Sequence, residues 1–305
     1  MEYILRTFDL SKKYKNRLVL DKVNMNIKRG DIYGFVGENG SGKTTVIRLV
    51  CGLIRPNGGR VELFGIKDSD RKILDARKKV GAVVETPSIY LNMSARENLR
   101  MQYDILGLND PTKIDEVLGE VGLSYLANDR KKAGNFSLGM RQRLGIAMAL
   151  LSDPEFLILD EPMNGLDPTG IVEVRELILD LNRKKNITFL ISSHILSELS
   201  LVATTYGIIS KGKLIKEVSS EELQRECGQS VYLEAENNET LLDSLTGKYG
   251  ADAKADGLGV RVYGQKDMNE LLSVAMKNNR LITVNNSRSG IEDYYLSIMG
   301  GEHHV

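Results

Sequence analysis

The segment Gly37–Thr44, GENGSGKT, constrains the fold and chemistry of this 305-residue chain more than any other stretch. It follows a short apolar run at Ile32–Val36 and precedes an apolar helical pattern at Thr45–Cys51. A strand, a glycine-rich loop and a helix, in that order, form the setting in which a G-x4-G-K-[ST] segment binds phosphate. The glycines let backbone N–H groups turn inward where a β-carbon would clash. The sequence therefore predicts a nucleotide phosphate site.

Two side chains of this loop add chemistry of their own. Lys43 supplies a point charge for the β- and γ-phosphates, and the following helix directs its positive end at the same anion. The hydroxyl of Thr44 suits a Mg²⁺ ligand. The residues predicted to bind ATP are those of this segment and the one that follows it: Gly37, Glu38, Asn39, Gly40, Ser41, Gly42, Lys43, Thr44 and Thr45.

A second candidate site follows the four apolar residues Phe156–Leu159, which predict a buried strand. Asp160 and Glu161 stand at its carboxyl end, where α/β sheets bind ligands. We expect Asp160 to hold Mg²⁺ through water and Glu161 to polarise an attacking water. An ordinary strand that ends in a solvated acidic turn is the alternative, and the phosphate loop disfavours it.

A third segment, Asn135–Arg143, precedes an apolar helical face, and Ser137 occupies the position of an N-cap. A helix that begins there can offer N–H groups and a hydroxyl to an anion. By itself, this pattern is more typical of a capped core helix.

The chain alternates apolar runs with helical patterns, which predicts an α/β fold with a parallel sheet covered on both faces. Strands are expected at Phe156–Leu159 and Ile187–Ser192, and an inserted helical subdomain at about 86–150. We place a first domain over residues 1–220 and a small α+β domain over 221–305. The second domain has a split β-α-β pattern typical of a ferredoxin-like fold. Its predicted elements are strands at Val231–Ala235, Ala251–Lys254, Val260–Tyr263 and Leu281–Asn285, and helices at Glu239–Tyr249, Met268–Asn279 and Ile291–Met299.

The order of the motifs resembles that of the ATP-binding subunits of ABC transporters over about residues 1–220. GENGSGKT is similar to their Walker A motif, FLILDEP to their Walker B motif, and FSLGM lies where they carry the LSGGQ signature. Three single positions extend the resemblance. Asp167 lies in the D-loop position, His194 matches the switch histidine, and Tyr14 lies where the family stacks an aromatic ring on adenine.

The resemblance implies a P-loop NTPase (RecA-like) core with antiparallel β and α-helical subdomains. Two such ATPase subunits, identical or homologous, would close head to tail around two ATP molecules with Mg²⁺. Ser137 and Gly139 of one subunit would contact the γ-phosphate bound by Lys43 of the other. His194 would sense that phosphate and help hold the water polarised by Glu161. The partner would be an integral-membrane permease on a separate chain, and the subunit would lie on the cytoplasmic face of a bacterial membrane.

Two departures from the family pattern change what is expected. Glu85 stands where a glutamine usually follows the strand Val80–Val84, and a carboxylate is a better Mg²⁺ ligand than an amide. This glutamate resembles the variant in bacitracin- and lantibiotic-type export cassettes, which implies export of a peptide antibiotic or a similar amphiphile. A tolerated substitution without substrate meaning is the alternative. Leu138 and Met140 replace the usual glycine and glutamine of the signature. The nucleotide-binding role of the family's signature is therefore assigned here only to Ser137 and Gly139.

Composition bears on the classes of partner and function that remain possible for the chain. The 41 basic residues balance the 41 acidic ones, so no global field recruits nucleic acid or anionic lipid. The sequence contains no run of about 18 uncharged apolar residues, so no membrane span is predicted. The N-terminal segment lacks the apolar region of a signal peptide. The two cysteines, Cys51 and Cys227, predict no disulfide framework. A soluble ABC ATPase acting on ribosomes or DNA remains the alternative function, disfavoured by the single cassette, zero net charge and absence of heptads.

Two further stretches keep alternatives open. The segment Thr86–Asn98, with the apolar residues Ile89, Tyr90 and Leu91, fits either a surface that receives a permease helix or internal core. The C-terminal extension is similar to those on antibiotic-exporting cassettes. It fits a dimer contact, a ligand sensor or a stabilising addition.

Overall fold

The computed structural model describes residues 2–110, 112–226, 229–264, 266–277 and 279–288. The chain divides into two compact units, Met1–Ser220 and Glu221–Val305. The helix predicted at Ile291–Met299 and the second cysteine, Cys227, lie outside the described residues.

The first unit contains eleven described strands and seven described α-helices. Its strands are β1 (Tyr3–Tyr14), β2 (Arg17–Val23), β3 (Asn26–Lys28), β4 (Ile32–Val36), β5 (Gly58–Leu63), β6 (Ile66–Lys67), β7 (Val80–Val83), β8 (Phe156–Asp160), β9 (Thr188–Ser193), β10 (Thr205–Ser210) and β11 (Lys213–Ser219). Its helices are α1 (Lys43–Val50), α2 (Ile73–Lys78), α3 (Ala95–Leu106), α4 (Lys113–Glu120), α5 (Leu138–Leu150), α6 (Pro168–Lys185) and α7 (Leu196–Leu199). Another helix, α8 (Ser220–Glu226), begins at the boundary between the units.

The central sheet of the first unit has the strand order β11-β10-β4-β9-β8-β7. All neighbouring strands are parallel except β10 and β11, which are antiparallel. Every residue of β4, β8 and β9 is buried, as expected for strands covered on both faces. Because parallel strands end at the same edge, the residues that follow β4, β8 and β9 are brought together. This sheet confirms the predicted α/β core.

A second, antiparallel sheet packs over the first. Its order is β2-β1-β5-β6, with β3 paired to β1. The apolar side of this sheet, helix α1 and the central sheet share one buried core, with Met25, Val46 and Phe156 among its members. The phosphate loop lies between these layers because α1 forms part of that core.

The alternation of Val23, Met25 and Ile27 with polar residues has the period of a half-buried strand, and the structure divides this stretch between β2 and β3. Those three side chains are fully buried, as the alternation requires. Lys22 has a left-handed φ of 52°, however, and the backbone N–H of Met25 donates to the Thr7 hydroxyl at 2.8 Å. The strand is interrupted because a side chain takes a bond that would otherwise belong to the backbone ladder.

Helices α3, α4 and α5 and two short 3-10 turns lie between β7 and β8, a stretch without strands among its described residues. Helix α3 begins with a capping box in which Ser94 and Glu97 satisfy each other's backbone N–H groups. Helix α5 begins after Ser137, whose hydroxyl accepts a hydrogen bond from the Met140 N–H at 3.2 Å. The predicted N-cap is therefore present.

The second unit contains β12 (Gln229–Ala235), α9 (Asn238–Tyr249), β13 (Ala253–Asp256), β14 (Gly259–Tyr263), α10 (Met268–Met276) and β15 (Leu281–Arg288). Its sheet order is β13-β14-β12-β15, and every pairing is antiparallel. Both α9 and α10 contribute to one small core with the sheet. This order of elements and strands is the split β-α-β arrangement that the sequence predicts.

No helix within the described residues is both long and apolar enough to cross a bilayer.

Cys51 carries a free, largely buried thiol, and burial raises its pKa to about 12. A thiol with that pKa is a poor nucleophile near neutral pH.

Substitution of Gly207 tests the packing between β4, β10 and β11. A β-carbon at Gly207 would overlap the hydroxyl of the buried Tyr33, which donates to Glu217 at 2.9 Å. We expect Gly207→Ala to destabilise the first unit by about 1–3 kcal/mol through overpacking. Urea unfolding followed by circular dichroism measures the change. Gly119→Ala, at an exposed position of helix α4, is the control. It should be neutral or stabilising by up to about 1 kcal/mol. Equal stability of the two variants would contradict this account of the packing.

Candidate functional site

The phosphate loop connects buried β4 to helix α1 and has the backbone geometry of an anion cradle. Helix α1 begins at Lys43, two residues before the predicted start, after Gly42 with a left-handed φ of 114°. A β-carbon at Gly37 would overlap the carbonyl oxygen of Ile209 on β10. The two glycines are therefore required by backbone conformation and by close approach, respectively.

The ammonium group of Lys43 points into this loop. The residue is only 5% exposed. Its Nζ donates to the carbonyl oxygens of Gly37 at 2.6 Å and Glu38 at 3.2 Å. The same atom lies 3.2 Å from Oε1 of Glu161. This arrangement links the loop to the acidic end of β8.

Asp160, at the end of β8, is 1% exposed and accepts two hydroxyl hydrogen bonds. Thr44 Oγ1 donates to its Oδ2 at 2.9 Å, and Ser192 Oγ donates to its Oδ1 at 2.5 Å. A buried carboxylate needs such partners because it has lost its hydration. The structure therefore brings together two of the three predicted metal ligands, Thr44 and Asp160.

Glu161 directs its carboxylate toward His194, which follows β9. The two predicted catalytic side chains approach to 2.8 Å between Glu161 Oε2 and His194 Nδ1. Glu161 has a left-handed φ of 50°, and its N–H donates to the Ser192 hydroxyl at 2.9 Å. Ser192 thus orients both acidic residues.

Glu198, on α7, is a further carboxylate near this pair. Burial raises the pKa of Glu198; the nearby His194 opposes the rise, and the charge of Glu161 adds to it.

A cavity of about 400 Å³ opens beside the loop. Tyr14, 42% exposed at the end of β1, lines one part of it. The other lining residues are Arg17, Val19, Asn39, Gly40, Gly42, Lys43, Thr44, Thr45 and Glu161. An aromatic ring and a phosphate-binding loop on one cavity suit a nucleotide, with the base against the ring and the phosphates in the loop.

Ser137, Gly139 and Asp167 are absent from the described lining of this cavity. Ser137 caps α5, and Asp167 caps α6 by accepting a hydrogen bond from the Gly170 N–H at 3.0 Å. Gly139 is buried, and a β-carbon there would lie 3.7 Å from Gly170. These three predicted nucleotide ligands therefore form a separate cluster at the starts of two helices.

Glu85 follows β7 with a left-handed φ of 62°. Its carboxylate accepts a hydrogen bond from Arg48 of α1 at 2.5 Å. Glu85 and Arg48 line a groove of about 520 Å³, together with Leu53, Pro87 and Met148 among others. The predicted third metal ligand thus pairs with Arg48, one helical turn after Thr44, rather than with the Thr44 hydroxyl.

The segment after Glu85 lies largely at the surface. Tyr90 is 48% exposed and Leu91 54% exposed, while Ile89 is half-buried. The buried Asn98 side chain accepts from the Tyr90 N–H at 2.8 Å and donates to its carbonyl oxygen at 3.1 Å. The core alternative is therefore wrong for Tyr90 and Leu91, whose side chains are exposed, and Asn98 holds the backbone of Tyr90 in this position.

The oxygen donors fit Mg²⁺. Thr44 and Asp160 supply a hydroxyl and a carboxylate, and Mg²⁺ binds few protein groups because it keeps waters and substrate phosphates in its shell. No cluster of three or more His, Cys, Asp or Glu side chains suited to a metal occurs in the described part of the chain.

Reasoning from sequence missed Ser192, Arg48 and Glu198. Ser192 lies in the run ITFLISSH, which predicts a strand but gives no partner for its hydroxyl. Two consecutive hydroxyl residues at the carboxyl end of a buried parallel strand were the available signal. Only the pairing of β8 with β9, with Asp160 opposite Ser192, shows what the hydroxyl contacts.

Residues 20–164 match the family model described as ABC transporter. The bacitracin transport ATP-binding protein BcrA of Bacillus licheniformis is 42% identical, over 99% of this chain and 99% of that protein. The lantibiotic transport ATP-binding protein SrtF of Streptococcus pyogenes is also 42% identical, over 70% of this chain and 90% of that protein. The dimeric cassette MJ0796, solved in a post-hydrolysis state with ADP and Pi, has a TM-score of 0.63 and 25% identity over 71% of this chain and 98% of its own.

Ser192→Ala tests the contact between β9 and the two acidic residues. Loss of its hydroxyl removes a hydrogen bond to the Asp160 carboxylate and one from the Glu161 N–H. We expect nucleotide hydrolysis to fall about tenfold or more, since a hydrogen bond to a charged group contributes about 1.5–3 kcal/mol. Released phosphate measures the rate.

Thr188→Ala is the matched control for this substitution. Thr188 begins the same strand, is fully buried, and accepts a hydrogen bond from the Gly30 N–H at 2.9 Å. It should cost stability without lowering the rate at temperatures where the variant is folded. A Ser192→Ala rate equal to that of Thr188→Ala would contradict the role of Ser192.

Proposed function

The chain belongs to the ABC transporter family of ATP-binding proteins, and we propose that it hydrolyses MgATP to drive export of a peptide antibiotic of the bacitracin class through a separate membrane permease. The observation that carries the substrate class is the extent of similarity to BcrA, which covers 99% of both chains. The similarity to the lantibiotic protein covers 70% of this chain. The bacitracin relative therefore matches nearly the whole chain, and the second unit is included in that match.

The site residues suit ATP hydrolysis with distinct roles. Lys43 and the N–H groups of the loop bind the β- and γ-phosphates, and Tyr14 stacks on adenine. Glu161 polarises the attacking water. His194, whose Nδ1 lies 2.8 Å from Oε2 of Glu161, orients the carboxylate relative to the γ-phosphate. Thr44 and Asp160 hold Mg²⁺, which neutralises charge on the phosphates when bound.

The separate cluster of Ser137, Gly139 and Asp167 supports a site completed by a second subunit. These residues are absent from the described lining of the cavity that contains Lys43, yet Ser137 begins a 13-residue helix whose positive end can bind an anion. In our proposal, two subunits close head to tail, and Ser137 and Gly139 of each contact the γ-phosphate in the other. The exposed Leu138 beside them lies at this contact.

Coupling to the permease is proposed to run through Glu85 and the groove beside it. The groove of about 520 Å³ has both apolar and charged walls, and α1, which follows the phosphate loop, forms one of them. Glu85 pairs with Arg48 of that helix, and the exposed Tyr90 and Leu91 stand nearby in the chain. A permease helix seated here would sense movement of α1 when ATP binds. In our proposal Glu85 acts as a coupling residue through its contact with Arg48.

Glu161→Gln tests the hydrolytic assignment. An amide cannot accept a proton from water, so we expect hydrolysis to fall about 100-fold or more while MgATP still binds. The variant should also form an ATP-dependent dimer, detected by size-exclusion chromatography with light scattering. Glu239→Gln, an exposed change at the start of α9, should leave both properties unaltered. Hydrolysis at the parent rate would show that Glu161 does not serve the water.

Resistance of the native host tests the transport proposal. We expect deletion of the gene to lower the minimum inhibitory concentration of bacitracin several-fold, and the wild-type gene to restore it. Glu161→Gln should fail to restore resistance because the ATPase cycle stops. Glu85→Gln should bind and hydrolyse ATP within about threefold of wild type, since an exposed ion pair contributes only about 0–1 kcal/mol, yet restore resistance poorly. Unchanged bacitracin resistance after deletion, with altered resistance to a lantibiotic, would reassign the substrate class.

A further inference from the structure

We infer that Arg17 is a nucleotide-binding residue whose guanidinium contacts the phosphates of ATP at the edge of the phosphate loop. This inference rests on the proposed ATP-binding function and adds a residue outside every motif recognised in the sequence. It follows from the position of Arg17, from the charges that line the cavity, and from the lack of another partner for its side chain.

The hairpin of β1 and β2 fixes the position of Arg17. In this hairpin Arg17 is the direct cross-strand partner of Tyr14. Both residues line the cavity of about 400 Å³, whose other walls include Thr44 and Thr45. Arg17 also borders a second cavity of about 300 Å³ on the side of the loop that contains Ser41. Arg17 therefore stands at the edge of the phosphate loop, where Asn39 and Gly40 line both cavities.

The charges around the main cavity leave one cation without a counterion. Its charged lining residues are Arg17, Lys43 and Glu161. Lys43 lies 3.2 Å from Glu161, so these two opposite charges are matched to each other. In the part of the chain that the structure describes, the Arg17 guanidinium makes no ion pair or hydrogen bond. An anion that enters this cavity therefore meets a net positive wall at Arg17.

The chemistry of arginine suits a polyphosphate. Its planar guanidinium donates parallel hydrogen bonds to phosphate oxygens and keeps its charge at every pH of interest. ATP carries several negative charges along the line from adenine to the γ-phosphate. Because Tyr14 receives the adenine and the loop receives the phosphates, a side chain opposite Tyr14 and beside the loop lies along that line. The exposure of Arg17 limits the strength of the contact, since water and salt screen it.

A neighbouring lysine provides a control that distinguishes a specific phosphate contact of Arg17 from the general positive charge of the hairpin. Lys13 is an exposed cation on β1, pairs across the hairpin with Leu18, and is not among the residues that line either cavity. Lys13→Ala and Arg17→Ala each remove one positive charge from the same hairpin. Only Arg17→Ala removes a charge from the cavity wall.

The test measures binding of MgATP by isothermal titration calorimetry at low and high NaCl concentration, for full-length wild type, Arg17→Ala, Arg17→Lys, Lys13→Ala and Lys43→Ala. We expect Arg17→Ala to weaken binding about three- to tenfold at low salt and to reduce the salt dependence of the dissociation constant. Arg17→Lys should restore most of the affinity because it restores the charge, and Lys13→Ala should bind within twofold of wild type. Circular dichroism confirms that each variant is folded.

Three outcomes would overturn the inference. They are Arg17→Ala affinity within twofold of wild type with unchanged salt dependence, equal losses for Arg17→Ala and Lys13→Ala, and an Arg17→Lys variant as weak as Arg17→Ala. Failure of the proposed function would look different. In that case wild type and Lys43→Ala would bind MgATP equally poorly, whatever residue 17 is.

Discussion

The ammonium group of Lys43 lies almost wholly out of water, and a buried cation is tolerated only where neighbouring oxygen atoms replace its hydration. Two carbonyl oxygens of the phosphate loop and the carboxylate of Glu161 supply that replacement. Both sources depend on the sheet, since β4 delivers the loop and β8 delivers the glutamate. In the proposed function, the phosphates of ATP would bind to the same ammonium group.

The parallel register of β4, β9 and β8 makes this arrangement possible. Val36 pairs with Ser193, and Asp160 pairs with Ser192, so the loop, the hydroxyl and the acids leave the sheet at one edge. Ser192 then connects Asp160 to the backbone of Glu161, while His194 extends the same strand toward the Glu161 side chain. Five functional groups from distant parts of the chain are positioned by the ends of three buried strands. Such a scaffold is rigid, because its strands are close-packed on both faces.

The phosphate loop of one subunit is only part of the proposed reaction site. Ser137 and Asp167 cap helices in a cluster apart from the Lys43 cavity, where they already have local structural roles. Their proposed second role, on the ATP of a partner subunit, requires dimer closure and links nucleotide binding to movement. Glu85 in the groove pairs with Arg48, one turn along α1 from Thr44, so in our proposal the same movement reaches a partner seated in that groove.

The sequence by itself determined the phosphate loop, the acidic strand end, the N-cap at Ser137 and the split β-α-β order of the second unit, because each depends on neighbouring residues or on a repeating pattern. It left open what depends on distant partners. The alternating stretch through Val23 and Ile27 is divided into β2 and β3, where Thr7 accepts a backbone hydrogen bond. Tyr90, for which surface and core were both open, is exposed, and Asn98 holds its backbone. Only the tertiary structure brought Ser192 to Asp160, Arg48 to Glu85 and Arg17 to the nucleotide cavity. The first two contacts join residues 32 and 37 positions apart, and the cavity places Arg17 with residues as distant as Glu161, so no local pattern encodes which strands and loops become neighbours.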